Sequence, residues 1–205
     1  MTPAGILDTA SVFVFALTGA LAASRAQLDI VGFLFFAALT AVGGGTVRDI
    51  LLDRNPVFWI EQPEILMVAA TAAVIVFFTA HLMESRATWL AWLDAAALAI
   101  AVPAGLAVAL ATGQSGFVAP IVGVLTGTFG GLMRDVVANE VPMVLRQGEL
   151  YVTAAFVGAL VGWMVSTQLG DVPALFVAGA VAFFLRAGSL AFGWRLPVYR
   201  SRPPR

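Results

Sequence analysis

The sequence has no cysteine and no lysine, and only 11% of its residues are charged. Without cysteine there are no disulfides, no thiol chemistry and no thiolate metal sites. The 11 arginines are balanced by 12 acidic residues, and the formal net charge of -1 provides no basic field for nucleic acid. His81 is the single histidine. Nucleic-acid binding is therefore excluded, and no metal site or cofactor is expected.

What the sequence has in abundance is apolar residues, at 60% of the chain with a mean hydropathy of +0.95. Uncharged runs cover residues 9–24, 30–47, 95–133 and 150–170, and only His81 interrupts the apolar stretch 65–83. A transmembrane helix needs about 20 apolar residues. Composition and run length together predict an all-α integral membrane protein with no room for a further domain.

Turn signals divide these runs into seven predicted transmembrane helices. They cover residues 8–23, 29–52, 64–82, two helices within 95–133 separated by the turn at 112–116, then 149–168, and a last helix that starts at Asp171. The N-terminal segment carries Asp8 and no basic residue, which is unlike a signal peptide. We therefore assign it to the first helix.

An internal repeat is the most informative pattern. The string GGGTVRDILLDRNP at residues 43–56 recurs as FGGLMRDVVANEVP at 129–142, an offset of 86. The same offset relates Asp8 to Asp94 and Gly19 to Gly105. Each repeat holds three helices, an odd number, so the second repeat is predicted to be inverted, as in many transport proteins. We divide the chain into a first repeat (1–86), a second, inverted repeat (87–170), and a seventh helix with a basic tail (171–205).

Arginine positions predict the orientation in the membrane. One side receives Arg25, Arg86, Arg146, Arg195, Arg200, Arg202 and Arg205, whereas the other clearly receives only Arg54. The arginine-rich side normally faces the cytoplasm. The N-terminus is therefore predicted outside and the C-terminus inside.

Glycines concentrate in the middle of two predicted helices. Each costs about 1 kcal/mol of helix propensity relative to alanine. Close helix packing is one explanation; a helix break that exposes carbonyls to a polar path is the other. On the second explanation the predicted ion pathway comprises Gly43, Gly44, Gly45, Thr46, Gly130 and Gly131.

The charged residues fall into two groups. Helix N-capping is expected for Asp8, Asp29, Glu61, Glu64, Asp94, Glu149 and Asp171, which lie at or just before predicted helix starts. Arg48, Asp49, Arg134 and Asp135 lie inside predicted helices, and ionisable residues there are functional candidates. We assign them as gating or pore-mouth charges; the alternative is a snorkelling arginine with a local acidic neighbour.

The paired GGGTVRD and GGLMRD segments, the three-plus-three-plus-one layout and the length resemble the trimeric intracellular cation (TRIC) channels of prokaryotes. The resemblance implies a homotrimer in the bacterial inner membrane. Each protomer would hold a potassium-permeable pore lined by glycine-broken second and fifth helices. Bacterial relatives also carry a glycine-transporter description, so a secondary transporter of a small solute such as glycine is the alternative. Animal members have a Lys-Glu-Val motif that the fourth helix lacks, so phosphoinositide regulation is not expected.

Small residues form continuous faces on two of the predicted helices. Small-residue faces at 158–162 and 178–180 are predicted to pack against neighbours in the trimer.

The string Gly113-Gln114-Ser115-Gly116 resembles a protease serine motif, but a serine nucleophile needs a base within hydrogen-bond reach. His81 is predicted at the opposite membrane face, roughly 30 Å away. We therefore predict no enzymatic activity and assign the string to a tight turn.

Overall fold

The computed structural model describes residues 3–114 and 116–199. Ser115 of the GxSG string and the tail arginines Arg200, Arg202 and Arg205 lie outside these residues. Within these described ranges there are eight α-helices: α1 (Pro3–Arg25), α2 (Ile30–Leu51), α3 (Phe58–Glu61), α4 (Glu64–Thr79), α5 (Arg86–Ala111), α6 (Val118–Val137), α7 (Val152–Leu169) and α8 (Asp171–Phe192). Two short 3-10 turns cover Ala80–Leu82 and Met143–Leu145. The fold is all-helical, as predicted.

In the part of the chain that the structure describes, six helices are long and apolar enough to cross a bilayer: α1, α2, α4 with its following turn, α5, α7 and α8. The remaining long helix, α6, has 20 residues but is not in this set. Its glycines, threonines and the charged pair Arg134 and Asp135 lower its apolar character. The chain is an integral membrane protein, whereas a membrane crossing by α6 stays a prediction.

α1 and α5 occupy the centre of the helix bundle. α1 packs against α2, α4 and α5, and α5 packs against α6, α7 and α8. Small side chains allow this close arrangement, since alanines dominate the buried core. α8 lies against α7 and α5, at the side of the bundle away from α2 and α4.

The expected glycine breaks in α2 and α6 are wrong, because both helices continue through their glycines. The glycines serve packing instead. A Cβ on Gly44 would overlap the backbone carbonyl of Thr126, and a Cβ on Gly130 would overlap that of Thr40. The two threonines are 86 residues apart, as are the two glycines. α2 and α6 therefore cross in backbone contact at two equivalent points, and this contact offsets the low helix propensity of glycine.

The small-residue faces make close contacts within the chain. A Cβ on Gly158 would lie 2.7 Å from the Ala178 carbonyl oxygen, and one on Gly179 would lie 2.5 Å from that of Ala99. These faces join α7 to α8 and α8 to α5 within the chain. Gly158, Gly162 and Ala178 are buried by these contacts, whereas Ala180 stays exposed, so a contact of these faces with another protomer stays a prediction.

The observed first residues of the helices show which of the predicted N-caps are right and which are wrong. Asp29 caps α2 as expected, accepting a hydrogen bond of 2.9 Å from the Gly32 amide. α5, however, is capped by Ser85 and α1 begins at Pro3. Asp94 and Asp8 consequently lie inside helices, where they form ion pairs, so their assignment as N-caps is wrong.

The other predicted caps also fall into residues at a helix start and residues that form ion pairs. Glu64 and Asp171 begin α4 and α8, and Glu61 lies in the short α3. Glu149 precedes α7, which begins at Val152, and its carboxylate is paired with Arg186. Glu149 is therefore not a cap.

Candidate functional site: two buried arginine clusters

The first cluster surrounds Arg48, which lies in α2 and is fully buried. Its Nη1 donates to Asp8 Oδ1 on α1 at 2.6 Å, and its Nε donates to Asp49 Oδ1 at 2.8 Å. The ring of Phe58 lies against the guanidinium, with 5.3 Å between the guanidinium carbon and the ring centroid. The guanidinium is therefore held between two helices and an aromatic face.

Asp49 connects this cluster to the loop that follows α2. Its Oδ1 also accepts a hydrogen bond of 2.9 Å from Arg54 Nη1, and its Oδ2 accepts one of 2.8 Å from the Phe58 amide. A cavity of about 70 Å³ lies beside the cluster and is lined by residues that include Asp8, Arg54 and Glu61. That volume is large enough for water.

The second cluster surrounds Arg134 in α6, also fully buried. Its Nη1 donates to Asp94 Oδ1 on α5 at 2.7 Å and to Thr18 Oγ1 on α1 at 2.9 Å. Its Nε donates to Asp135 Oδ1 at 2.8 Å. The Oδ2 of Asp135 accepts a hydrogen bond of 2.8 Å from the Met143 amide, so the loop after α6 is fixed in the same way as the loop after α2.

The two clusters lie toward opposite ends of the bundle. Asp8 and Thr18, which contact Arg48 and Arg134 respectively, are ten residues apart in α1, or about 15 Å along the helix axis. The Arg134 cluster lies toward the end at which α1 finishes with Arg25. Arg48 and Arg134 therefore lie toward opposite ends of the bundle, and their position at the mouths of a pathway stays a prediction.

The surface arginines Arg25 and Arg86 both lie at the Arg134 end. Arg25 Nη2 pairs with Glu140 Oε1 at 2.9 Å, and Arg86 Nη1 donates to the Ser24 carbonyl at 2.9 Å. One end of the bundle therefore collects basic residues, as the sequence predicted.

The two halves differ at specific positions. The residue 86 positions after Arg54 is Glu140, so only the first cluster contains a second arginine. Likewise, Tyr151 in the second half corresponds to Ile65 in the first. The Arg48 cluster formally has two arginines and two aspartates, whereas the Arg134 cluster has one arginine and two aspartates. The second cluster therefore carries an excess of negative charge.

The predicted pathway glycines lie beside these clusters. A Cβ on Gly45 would meet the Phe58 ring, and one on Gly43 would lie 2.9 Å from Met133 Sδ. Thr46 donates its hydroxyl to the Val42 carbonyl at 2.7 Å and accepts a hydrogen bond of 3.0 Å from Trp59 Nε1. Gly43, Gly44 and Gly130 thus meet where α2 and α6 cross, whereas Gly45 and Thr46 contact α3 and Gly131 borders the Arg134 cluster.

Sequence reasoning missed four residues of the site. It assigned Asp8 and Asp94 to caps, although the 86-residue offset that relates Arg48 to Arg134 also relates these two aspartates. It did not single out Arg186, although an arginine inside an apolar helix is a strong signal. Arg186 is buried in α8; its Nη2 pairs with Glu149 Oε2 at 2.8 Å, and its guanidinium carbon lies 5.1 Å from the Tyr151 ring centroid. Tyr151 was missed because nothing in the sequence marks it.

The chemistry available to these clusters is electrostatic. Among the described residues, none of the His, Cys, Asp and Glu groupings could hold a metal ion. A buried arginine held by two carboxylates neutralises charge that would be costly to leave unpaired in a bilayer.

Comparisons with known proteins show which family this chain resembles. The family described as "Glycine transporter" matches residues 5–81 and again residues 91–167, so the two matches start 86 residues apart. The inner membrane protein YadS of Escherichia coli K12, labelled UPF0126, is 40% identical over 156 residues, covering 76% of this chain and 75% of YadS. A UPF0126 membrane protein of Vibrio cholerae is 36% identical and covers 95% of this chain and 82% of its own length.

Solved structures give a closer description of the fold. The TRIC trimeric intracellular cation channel orthologue from Rhodobacter sphaeroides superposes with a TM-score of 0.90 at 42% identity, over 94% of this chain and all of that one. A prokaryotic TRIC channel crystallised in 0.5 M KCl matches with a TM-score of 0.87 at 28% identity, over 93% of this chain and 96% of that one. The fold and its buried clusters define a helical membrane protein of the channel class rather than an enzyme. The chain belongs to the trimeric intracellular cation channel family, which confirms the resemblance seen in the sequence.

Proposed function

We propose that this protein is a potassium-permeable cation channel. The observation that carries the proposal is the near-complete structural match, at 42% identity, to a protein described as a TRIC cation channel orthologue. The formal excess of one aspartate in the Arg134 cluster supports a preference for cations, because clefts with net negative charge concentrate them.

The proposed pathway runs within each protomer between α1, α2, α5 and α6. Arg48 and Asp49 lie at one end of the pathway, and Arg134 and Asp135 lie at the other. The crossing of α2 and α6 at Gly44 and Gly130 closes the centre, so that conduction requires these helices to separate there. In this proposal the pathway residues are Gly43, Gly44, Gly45, Thr46, Gly130 and Gly131, acting as close contacts that separate rather than as permanent helix breaks.

The arrangement in the membrane is part of the proposal. With α6 counted as a crossing helix there are seven crossings, and residues 1–86 and 87–170 form two inverted repeats followed by the unit 171–205. The N-terminus lies outside and the arginine-rich C-terminal end lies in the cytoplasm. The relative YadS is named an inner membrane protein, which supports the same membrane for this chain.

We further propose that the channel is a homotrimer with one pathway in each protomer. The support is that the matching solved structures are described as TRIC, or trimeric intracellular cation, channels. Native mass spectrometry of the purified protein in mild detergent should show three chains. A stable monomer or dimer in several detergents would contradict the trimer.

Gating follows from the buried arginines. A guanidinium that leaves its carboxylates moves charge through the membrane field, which is worth about 2.3 kcal/mol per 100 mV for a full crossing. Release of Arg48 or Arg134 therefore confers voltage dependence on opening.

The experiment is potassium conductance of the purified protein in planar bilayers. Wild type should give unitary currents, and Arg134→Gln should raise the open probability or alter rectification. Arg25→Gln removes only a surface pair that is about one-third exposed, and it is the matched control, which should behave as wild type. Absence of potassium currents from protein of verified fold would contradict the channel.

A secondary transporter of a small solute such as glycine is the second candidate, favoured by the description of the matching family. It would use the same repeats but hold the solute between the two clusters and rock around it. Saturable glycine uptake into proteoliposomes, with no unitary currents, would establish this alternative and overturn the channel.

A further inference from the structure

Tyr151 lies between two charged groups that belong to different parts of the fold. Its ring contacts Arg186 of α8, and its side chain is buried. On its other side is a small gap left by the missing side chain of Gly131. A Cβ placed there would lie 3.3 Å from Tyr151 Oη, 3.5 Å from Asp94 Oδ1 and 3.6 Å from Arg134 Nη2. The phenol and the Arg134–Asp94 pair therefore border the same gap.

The polar atoms around this gap have unused hydrogen-bonding capacity. Within the described part of the chain, Tyr151 Oη and Asp94 Oδ2 are buried and make no hydrogen bond. The Tyr151 hydroxyl is therefore a buried donor without an acceptor, and the Asp94 carboxylate lies near it. A shift of the phenol toward Asp94 would let the hydroxyl donate to that carboxylate.

α8 determines where Tyr151 lies. The three residues before Tyr151 are each tied to α8 or to the segment that follows it. The Gly148 carbonyl accepts a hydrogen bond of 2.9 Å from the Leu196 amide, and the Leu150 amide donates to Ser189 Oγ at 3.2 Å. Between them, Glu149 pairs with Arg186. A displacement of α8 therefore moves Tyr151.

The first half has no equivalent of this connection. Ile65 occupies the position that corresponds to Tyr151, and it offers no hydroxyl. The Arg48 cluster is instead tied to its own loop through Arg54 and Phe58. The connection to α8 therefore exists at one end of the pathway only.

We propose that Tyr151 is a positioning residue through which α8 controls the Arg134–Asp94 ion pair. While Arg186 holds the phenol, Asp94 pairs only with Arg134, and the end of the pathway at the Arg134 cluster stays closed. When α8 releases the phenol, its hydroxyl donates to Asp94, weakens the hold of Asp94 on Arg134, and favours opening. The inference rests on the proposed channel function.

The test is a double-mutant cycle on the open-to-closed ratio of single channels in planar bilayers. Arg186→Gln removes the cation that holds the ring. A cation–π contact intermediate between the exposed and the fully desolvated case shifts an equilibrium by about tenfold. We expect it to raise the ratio about tenfold in wild type and to leave it unchanged when Tyr151→Phe is also present. Arg186→Lys keeps the cation and should restore most of the wild-type ratio.

Two further variants separate the coupling from a general loss of structure. Arg54→Gln alters the opposite cluster, so its effect should be the same with Tyr151 or with Phe at that position. Ser189→Ala removes one tie between α8 and Leu150 without altering any charge, and should raise the ratio in the same direction as Arg186→Gln. Equal effects of Arg186→Gln with and without the Tyr151 hydroxyl, or no effect in either, would overturn the proposal.

A second measurement is independent of conduction. Hydrogen exchange of residues 130–137 in lipid nanodiscs should increase in Arg186→Gln, and this increase should disappear in the double variant with Tyr151→Phe. A wild type that conducts nothing would refute the channel, whereas unchanged exchange would refute the coupling. The two failures are therefore distinguishable.

Discussion

The crossing of α2 and α6 can be tested with two alanine substitutions at adjacent residues. Gly43→Ala and Gly44→Ala each replace a glycine by alanine and so add one methyl group, at neighbouring positions of the same helix. At Gly43 the new methyl would meet the flexible side chain of Met133, whose Sδ lies 2.9 Å away. At Gly44 it would overlap the Thr126 backbone carbonyl, which cannot move without moving α6.

The expected magnitudes differ in sign. Alanine stabilises a helix interior by about 1 kcal/mol relative to glycine. Overpacking of a well-packed interior costs about 1–3 kcal/mol. Because the Thr126 carbonyl is rigid, the upper part of that range applies at Gly44, and Gly44→Ala should destabilise by about 1–2 kcal/mol net. Since Met133 can change rotamer, Gly43→Ala should be neutral or up to about 1 kcal/mol more stable.

The free energy of unfolding of both variants is to be measured by steric trapping in lipid bicelles. Gly130→Ala, whose methyl would overlap the Thr40 carbonyl, should repeat the result of Gly44→Ala because it is the equivalent contact. If Gly44→Ala were as stable as Gly43→Ala, α2 and α6 would not be in backbone contact at this point, and the packing explanation of the glycines would be refuted.

Three other outcomes are expected. Arg134→Ala should lower the free energy of unfolding by about 3–5 kcal/mol because it leaves Asp94 buried and unpaired; Asp94→Asn in the same chain should recover part of the loss, and an additive result would contradict the pairing. Glu140→Gln should change stability by less than about 1 kcal/mol, since its pair with Arg25 is about one-third exposed; a larger loss in a thermal melt would assign that pair a structural role. Fluorescent-protein or phosphatase fusions at the two ends should report opposite membrane faces with the C-terminus inside, whereas a shared face would contradict the inverted repeats.

Several features of this protein could be predicted from local patterns. Long apolar runs indicated membrane helices because burial of an apolar run in lipid does not depend on which neighbour it meets. Asp29 was correctly predicted as a cap, since capping involves only the first turn of its own helix. The 86-residue offset paired Arg48 with Arg134 and Gly44 with Gly130 before any contact was known.

Other features depended on contacts between helices far apart in the sequence. Gly43, Gly44 and Gly45 fit either a break or a close contact, and only the position of Thr126 on α6 decided for contact. Asp8 and Asp94 were misplaced because a carboxylate near a helix start has the same local pattern whether it caps its helix or pairs with an arginine 40 residues away.

By itself, then, the sequence determined that the chain lies in a membrane, that it is duplicated, and that Arg48, Asp49, Arg134 and Asp135 are its unusual charges. Tertiary structure decided that these charges meet Asp8 and Asp94, that the glycines of α2 and α6 pack without breaking, and that Tyr151 lies between Arg186 and Asp94. The physical reason is the range of the interactions. Apolar burial and capping are fixed by neighbouring residues, whereas an ion pair or a backbone contact between helices exists only once both helices are in place.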